Sequence, residues 1–273
     1  MGSGIAEIFA RAGCTVVVHE SDEHAAARGR DRIEKSLHRA TAAGKLTSDG
    51  AELALKRIHV GTDLDALQPV MLCVEAVNES EAVKVSLFGH LDKVIKSDDA
   101  ILASNTSSVP IMKLGTATAR PEQVVGLHFF NPVPILPLVE VVPSLLTSTD
   151  VVQRARRIAE DGLGKTVIQS QDRAGFIVNA LLVPYLLSAI RMVESGFASA
   201  ADIDAGMTNG CAHPMGPLRL ADLIGVDTVA AIAESMYSEF KEPLFSPPPL
   251  LSRMVDAGLL GRKTGSGFHE YSA

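Results

Sequence analysis

The chain has 273 residues, a formal net charge of −7, 47% hydrophobic and 21% charged residues, enough for one large or two modest domains with a real core. The acidic balance argues against general nucleic-acid binding. The longest apolar run, residues 176–190, is interrupted by Asn179 and Pro184 and is too short to cross a membrane.

Residues 2–12 place Ile5, Ile8, Phe9 and Ala12 on one helical face, and Gly13 follows as a stop. Residues 14–20 read as a Val-rich buried strand and 22–43 as a long helix. Short strands are predicted at 58–60, 70–74, 101–104 and 124–128, separated by helical stretches such as 79–95. This alternation predicts an α/β fold with a doubly wound, Rossmann-type parallel sheet, closed by a last strand near 166–170. After Asp172 the alternation stops. Helix-period runs at 174–195, 199–208, 216–240 and 248–258 follow, punctuated by Gly196, Gly210 and Pro247-Pro248-Pro249. The boundary falls near 172–175, giving an α/β domain over 1–172 and an all-α domain over 173–273. Three cysteines, Cys14, Cys73 and Cys211, form no metal or CxxC spacing, so no metal is expected. A reduced compartment fits them. No charged n-region precedes a cleavable apolar core, so the expected location is the cytoplasm.

The most informative stretch is Ser104-Asn105-Thr106-Ser107-Ser108, then Leu127-His128-Phe129-Phe130-Asn131-Pro132-Val133-Pro134, then Glu140. Residues 122–128 and 138–142 read as strands, with turn chemistry at 131–134 between them. A reversal near Pro134 leaves residues 128 and 140 equidistant from its apex, side by side. A His–carboxylate pair so placed fixes the imidazole tautomer and steadies its positive charge as it takes a proton. The hydroxyl and amide groups nearby are able to hold an oxygen.

These residues carry a resemblance to the L-3-hydroxyacyl-CoA dehydrogenases. The pattern is closest to the monofunctional bacterial 3-hydroxybutyryl-CoA dehydrogenase branch. It rests on the string SNTSS, on LHFFNPVP with its His twenty-one residues after Ser107, and on a Glu twelve residues after that His. It runs over essentially the whole chain and ends in Gly261-Arg262-Lys263-Thr264-Gly265-Ser266-Gly267-Phe268. The resemblance implies NAD-dependent oxidation of (3S)-3-hydroxyacyl-CoA, with a short acyl chain. His128 is then the general base, Glu140 its orienting carboxylate, and Ser107 and Asn179 hydrogen-bond the substrate oxygen. Glu79, Lys84, Asn131 and Lys263 correspond to positions that touch NAD. Ser36 corresponds to a CoA contact. Ala43 stands where a lysine can occur, with Lys45 a possible substitute. A homodimer through the helical domain is also implied.

Each residue has a plainer reading beside this one. Ser107 could cap a helix beginning near Val109. Glu140 could be an edge-strand surface charge, and Glu79, Lys84 and Lys263 solvated charges. Asn131 could serve only the turn. The helix after Glu20 carries Arg28, Arg30, Arg32, Lys35 and Arg39, with Lys45 nearby, against Asp31 and Glu34. This excess could meet CoA phosphates or simply face solvent. Relatives acting on 3-hydroxyadipyl-CoA or a sugar acid stay open, as does a non-catalytic binding or structural protein.

A dinucleotide-binding fold opens with a strand, then G-x-G-x-x-G, then a helix whose N-terminus faces the pyrophosphate. Here the chain reads Met1-Gly2-Ser3-Gly4-Ile5-Ala6, and the resemblance makes Gly2 the third glycine. Glu20, eighteen residues on, is the acidic residue expected to accept the ribose hydroxyls of NAD and disfavour NADP. Alternatively, the glycines start a helix and Glu20 caps a strand. The expectation is a sheet lacking its first strand, with about a dozen or more residues preceding Met1. The neighbours of that strand should then expose unpaired backbone groups.

Overall fold

The computed structural model describes residues 1–271. The chain divides into two compact units, one over residues 1–172 and one beginning at Arg173.

The first unit starts with α1 (Gly2–Arg11) and β1 (Val16–His19). The long α2 (Glu23–Ala42) follows, its N-terminus capped by Asp22, which accepts the Ala25 amide at 2.7 Å. A helix absent from the sequence reading, α3 (Ser48–Lys56), precedes β2 (Ile58–Gly61). Then come β3 (Leu72–Glu75), α4 (Glu81–Val94), β4 (Ile101–Ser104) and α5 (Ile111–Gly115). The unit ends with β5 (Val124–Phe129), β6 (Leu138–Pro143), α6 (Thr149–Arg157) and β7 (Thr166–Gln169).

The strands form two sheets. One is the parallel pair β1–β2; the other has five strands in the order β3-β4-β5-β6-β7. All neighbours in the second are parallel except β5 and β6, which form an antiparallel hairpin. The predicted buried strand at 14–20 is therefore corrected. It spans four residues, all half-buried. The reason is topological: among the described residues β1 pairs only with β2, so its other edge has no ladder. Among the described residues the outer edge of β3 likewise has no partner strand. Helix α1 packs against both sheets, Ile5 and Ile8 with the cluster that includes Leu72 and Val74, Ala6 and Ala10 with that of Val16 and Val18.

The centre of the larger sheet is buried and largely apolar. Every residue of β4 and of β5 is buried, as expected for parallel strands covered on both faces. Gly126 belongs to it for a steric reason. A Cβ at that position would lie 2.8 Å from Val142 Cβ and 3.0 Å from Ile111 Cδ1.

The second unit is helical: α7 (Val178–Glu194), α8 (Ala200–Gly210), α9 (Pro217–Ile224), α10 (Val226–Phe240) and α11 (Pro249–Asp256). The single run predicted over 216–240 is in fact two helices. They break at Gly225, whose φ of 105° ends α9 and admits α10. Their apolar faces meet in one core containing Leu186, Leu187, Ile190, Leu218, Val229, Ala233 and Met236. Asp222, 1% exposed, ties the following segment to this core by accepting the Phe268 and His269 amides and the Tyr271 hydroxyl, each at 2.9 Å.

Candidate active site

The β5–β6 hairpin places His128 directly opposite Glu140. Opposed residues of an antiparallel pair share a face with their Cβ atoms about 5 Å apart, so the two side chains meet. His128 Nδ1 lies 2.7 Å from Glu140 Oε2. Glu140 is completely buried and His128 is 6% exposed. The surface-charge reading of Glu140 fails because β6 is an interior strand, flanked by β5 and β7. In the tautomer with the proton on Nδ1, the Glu140 carboxylate accepts from it and Nε2 is the ring's proton acceptor. The Phe130 ring meets the imidazole edge-on at 4.6 Å. Lys165 pins the connecting loop by donating to the carbonyls of Val133 and Leu136, each at 2.7 Å. Burial, with a lesser contribution from the Arg11 charge, holds the Lys165 ammonium below the usual lysine range. Asn131 lies exposed in the same loop.

Beyond β4 the chain folds onto the Glu79 carboxylate. Glu79 Oε1 accepts from the Thr106 hydroxyl (2.5 Å), the Ser107 and Ser108 amides (2.9 and 3.0 Å) and the Ser108 hydroxyl (2.9 Å). The Ser107 hydroxyl lies 3.4 Å away. Burial pushes the Glu79 carboxyl up, but these hydrogen bonds and the Lys84 charge outweigh it and hold it below the usual glutamate range. Ser107 is not the cap of a helix near Val109. Helix α5 begins at Ile111, and Asp172 receives the amides of Ile111 and Met112, each at 2.8 Å.

Lys84 is no solvated charge; it is 1% exposed. It lies 2.7 Å from Glu75 and 3.2 Å from Glu79, a buried cation between two carboxylates. Glu75, 4% exposed, also accepts the Ser104 hydroxyl at 2.5 Å and the Val77 amide at 2.6 Å. Sequence reasoning missed Glu75, and it singled out the stretch holding Ser104 and Thr106 without foreseeing that their hydroxyls donate to Glu75 and Glu79. The signal available was the spacing of Lys84, Phe88 and Leu91, which makes Lys84 part of the buried face of α4.

The remaining predicted residues of the first unit lie around α1. Glu20 follows β1 and is half-buried. A Cβ on Gly29 would sit 3.1 Å from Glu20 Oε1, so the carboxylate rests on the bare backbone of α2. The Ser3 hydroxyl donates to the Gly29 carbonyl at 3.4 Å. Gly4 rather than Gly2 is the tightly packed glycine. A Cβ on Gly4 would approach Val133 Cβ to 3.0 Å, whereas one on Gly2 would make ordinary contact with Ala76 at 3.7 Å. Ser36 is half-buried on α2 and Lys45 exposed just beyond it. Of the nearby cations Lys35 is paired with Asp31 at 2.8 Å.

In the second unit Asn179 is buried, 8% exposed, at the start of α7. Lys263 makes a half-exposed ion pair with Asp227, Nζ lying 2.5 and 2.6 Å from its two oxygens. Among the described residues no three His, Cys, Asp or Glu side chains are grouped to hold a metal ion. No helix there is long and apolar enough to cross a membrane.

Glu20, Glu75, Ser107 and His128 lie at or just past the carboxyl ends of their strands, where α/β sheets bind ligands. The first unit is thus a Rossmann-type fold carrying a buried His–Glu pair at the carboxyl end of its sheet. Comparison with known proteins agrees over both units. Residues 1–173 match the family model described as 3-hydroxyacyl-CoA dehydrogenase, NAD binding domain, and residues 175–271 match the corresponding C-terminal domain. A 3-hydroxybutyryl-CoA dehydrogenase of Mycobacterium tuberculosis is 56% identical over 271 residues, 99% of this chain and 95% of that protein. The crystal structure of M. tuberculosis FadB2 superposes with a TM-score of 0.98 at 56% identity, covering 100% of this chain and 95% of that one. That of (S)-3-hydroxybutyryl-CoA dehydrogenase PaaH1 from Ralstonia eutropha gives 0.93 at 40% identity, covering 100% and 96%. The chain belongs to the 3-hydroxyacyl-CoA dehydrogenase family.

Proposed function

We propose that this protein catalyses the reversible, NAD-dependent oxidation of (3S)-3-hydroxyacyl-CoA to 3-oxoacyl-CoA, with a short acyl chain such as 3-hydroxybutyryl-CoA. The observation that carries this reading is the buried His128–Glu140 pair at 2.7 Å, in a chain whose two units match the two domains of the family.

In the forward direction His128 Nε2 takes the proton of the substrate 3-hydroxyl. Glu140 holds the ring and compensates its positive charge, so the imidazole stays aligned through the transfer. Ser107 and Asn179 hydrogen-bond the substrate oxygen as its charge changes. NAD, when bound, supplies the oxidant for C3. The residues present fit this dinucleotide. The N-terminus of α1 offers amides and a favourable dipole for phosphate, and Gly2 lets the backbone approach. Glu20, resting on Gly29, is suited to the ribose hydroxyls. Glu79, Lys84, Asn131 and Lys263 complete the cofactor set in this reading.

For CoA, Ser36 and Lys45 join the exposed Arg28, Arg30, Arg32 and Arg39 as phosphate partners. A homodimer through the helical unit is supported by Leu181 and Met192 on α7, 74% and 36% exposed and three helical turns apart on one face. The cytoplasm is the location this chemistry suits.

The test is NADH formation from 3-hydroxybutyryl-CoA and 3-hydroxyadipyl-CoA, with NAD and NADP, for the parent and Glu20→Ala. The four-carbon substrate and NAD should be preferred, with the cofactor preference eroded in Glu20→Ala. Equal kcat/KM for the two cofactors in the parent would contradict the role given to Glu20. A preference for the six-carbon dicarboxylate would move the substrate assignment.

A further inference from the structure

We propose that Asn105 is a positioning residue for His128: its side-chain amide takes the place of a backbone partner where β4 leaves the sheet, and so fixes the main chain of the base.

Strand β4 pairs with β5 only as far as Ser104 opposite Gly126, yet β5 continues through His128 to Phe129. The departure of β4 is required by the site, because residues 106–108 must turn onto the Glu79 carboxylate. This turn carries Ser107 and removes the β4 backbone from beside the end of β5. Phe129 is 2% exposed, so its amide has little access to water and needs a protein acceptor. Asn105 provides it: Oδ1 accepts the Phe129 N–H at 2.9 Å. The Asn105 backbone N–H meanwhile donates to the Glu75 carbonyl at 2.8 Å, extending the β3–β4 contact.

The bonded amide belongs to the peptide joining His128 to Phe129. Two clamps therefore act on the base. Glu140 holds its ring through Nδ1, and Asn105 holds the peptide plane that aims the side chain. Because Asn105 is also two residues before Ser107, one side chain spans the hydroxyl-bearing turn and the strand of the base. Leucine has a similar size but no acceptor; aspartate keeps the acceptor oxygen in place.

The proposal rests on His128 being the base, and the experiment separates the two claims. Asn105→Leu, Asn105→Ala, Asn105→Asp and His128→Ala are compared with the parent for kcat, KM for NAD and thermal midpoint. Loss of the clamp should lower kcat in Asn105→Leu and Asn105→Ala by roughly 10- to 100-fold, the scale on which small misplacements of reacting groups act. KM for NAD should stay within about twofold. Asn105→Asp should recover most of kcat. The alanine variant cannot overpack, so it reads the loss of the acceptor even where leucine impairs folding. Parental kcat in Asn105→Ala beside an inactive His128→Ala would overturn the role of Asn105 alone. Equal impairment of the aspartate and alanine variants would also overturn it. Turnover retained in His128→Ala would instead remove the base assignment on which the proposal stands.

Discussion

The two sheets of the first unit solve one problem unequally. In the five-stranded sheet, β5 is flanked by β6 along its length and by β4 as far as Gly126, and all six of its residues are buried. In the two-stranded sheet, β1 has one ladder and no fully buried residue. The first carries His128 and Glu140, whose relative position must hold to a fraction of an ångström if the pair is to move a proton as proposed. The second leads into Glu20, which has only to present a carboxylate beside α2. Among the described residues, the strands carrying His128 and Glu140 are the more completely buried, and β1, which leads to Glu20, is the less buried.

That contrast is measurable. Leu127→Ala deletes a side chain from the fully buried strand and should cost about 2–5 kcal/mol. Val18→Ala, on the half-buried strand, should cost about 1 kcal/mol, the centre of the usual range for single substitutions. Denaturant unfolding of both variants checks the difference. Hydrogen exchange on the parent extends it, with amides of β1 and β2 opening before those of β4 and β5. Equal protection in the two sheets would break the comparison.

A smaller effect is expected from Glu79, at the edge of the rigid sheet. Its carboxyl is held below the ordinary glutamate value of 4.5. The folded state therefore binds fewer protons than the unfolded state between the two values. Its stabilising contribution is complete above the ordinary value and is lost as pH falls through the depressed one. Thermal midpoints of parent and Glu79→Gln across that acid range should converge at its lower end. A constant gap would show that proton linkage at Glu79 contributes nothing.

The hairpin was legible because its information is local. A turn at 131–134 with strands of matched length fixes the register of residues 128 and 140, and period-2 pairing then places both side chains on one face. The helical second unit was legible for a similar reason, its apolar periodicity, although the break at Gly225 was not. What the sequence hid depends on packing between distant segments. Lys84 looks like a surface lysine until the fold brings Glu75 and Glu79 to its ammonium. Glu20 resting on Gly29, and Asn105 bonding Phe129, likewise join residues with no pattern in common. The burial read for residues 14–20 came from the Val-rich run alone; the half-burial of β1 follows the open edge expected beside an absent first strand.

The central claim is that the buried His128–Glu140 pair performs the acid–base step. Its most direct measurement is steady-state oxidation of 3-hydroxybutyryl-CoA by parent, His128→Ala and Glu140→Gln, with NAD affinity determined separately by calorimetry. His128→Ala is expected to abolish turnover with NAD affinity nearly unchanged. Glu140→Gln is expected to lower kcat by roughly 10²–10⁴, the scale of assisted proton transfer. A near-parental kcat in His128→Ala would contradict the claim outright.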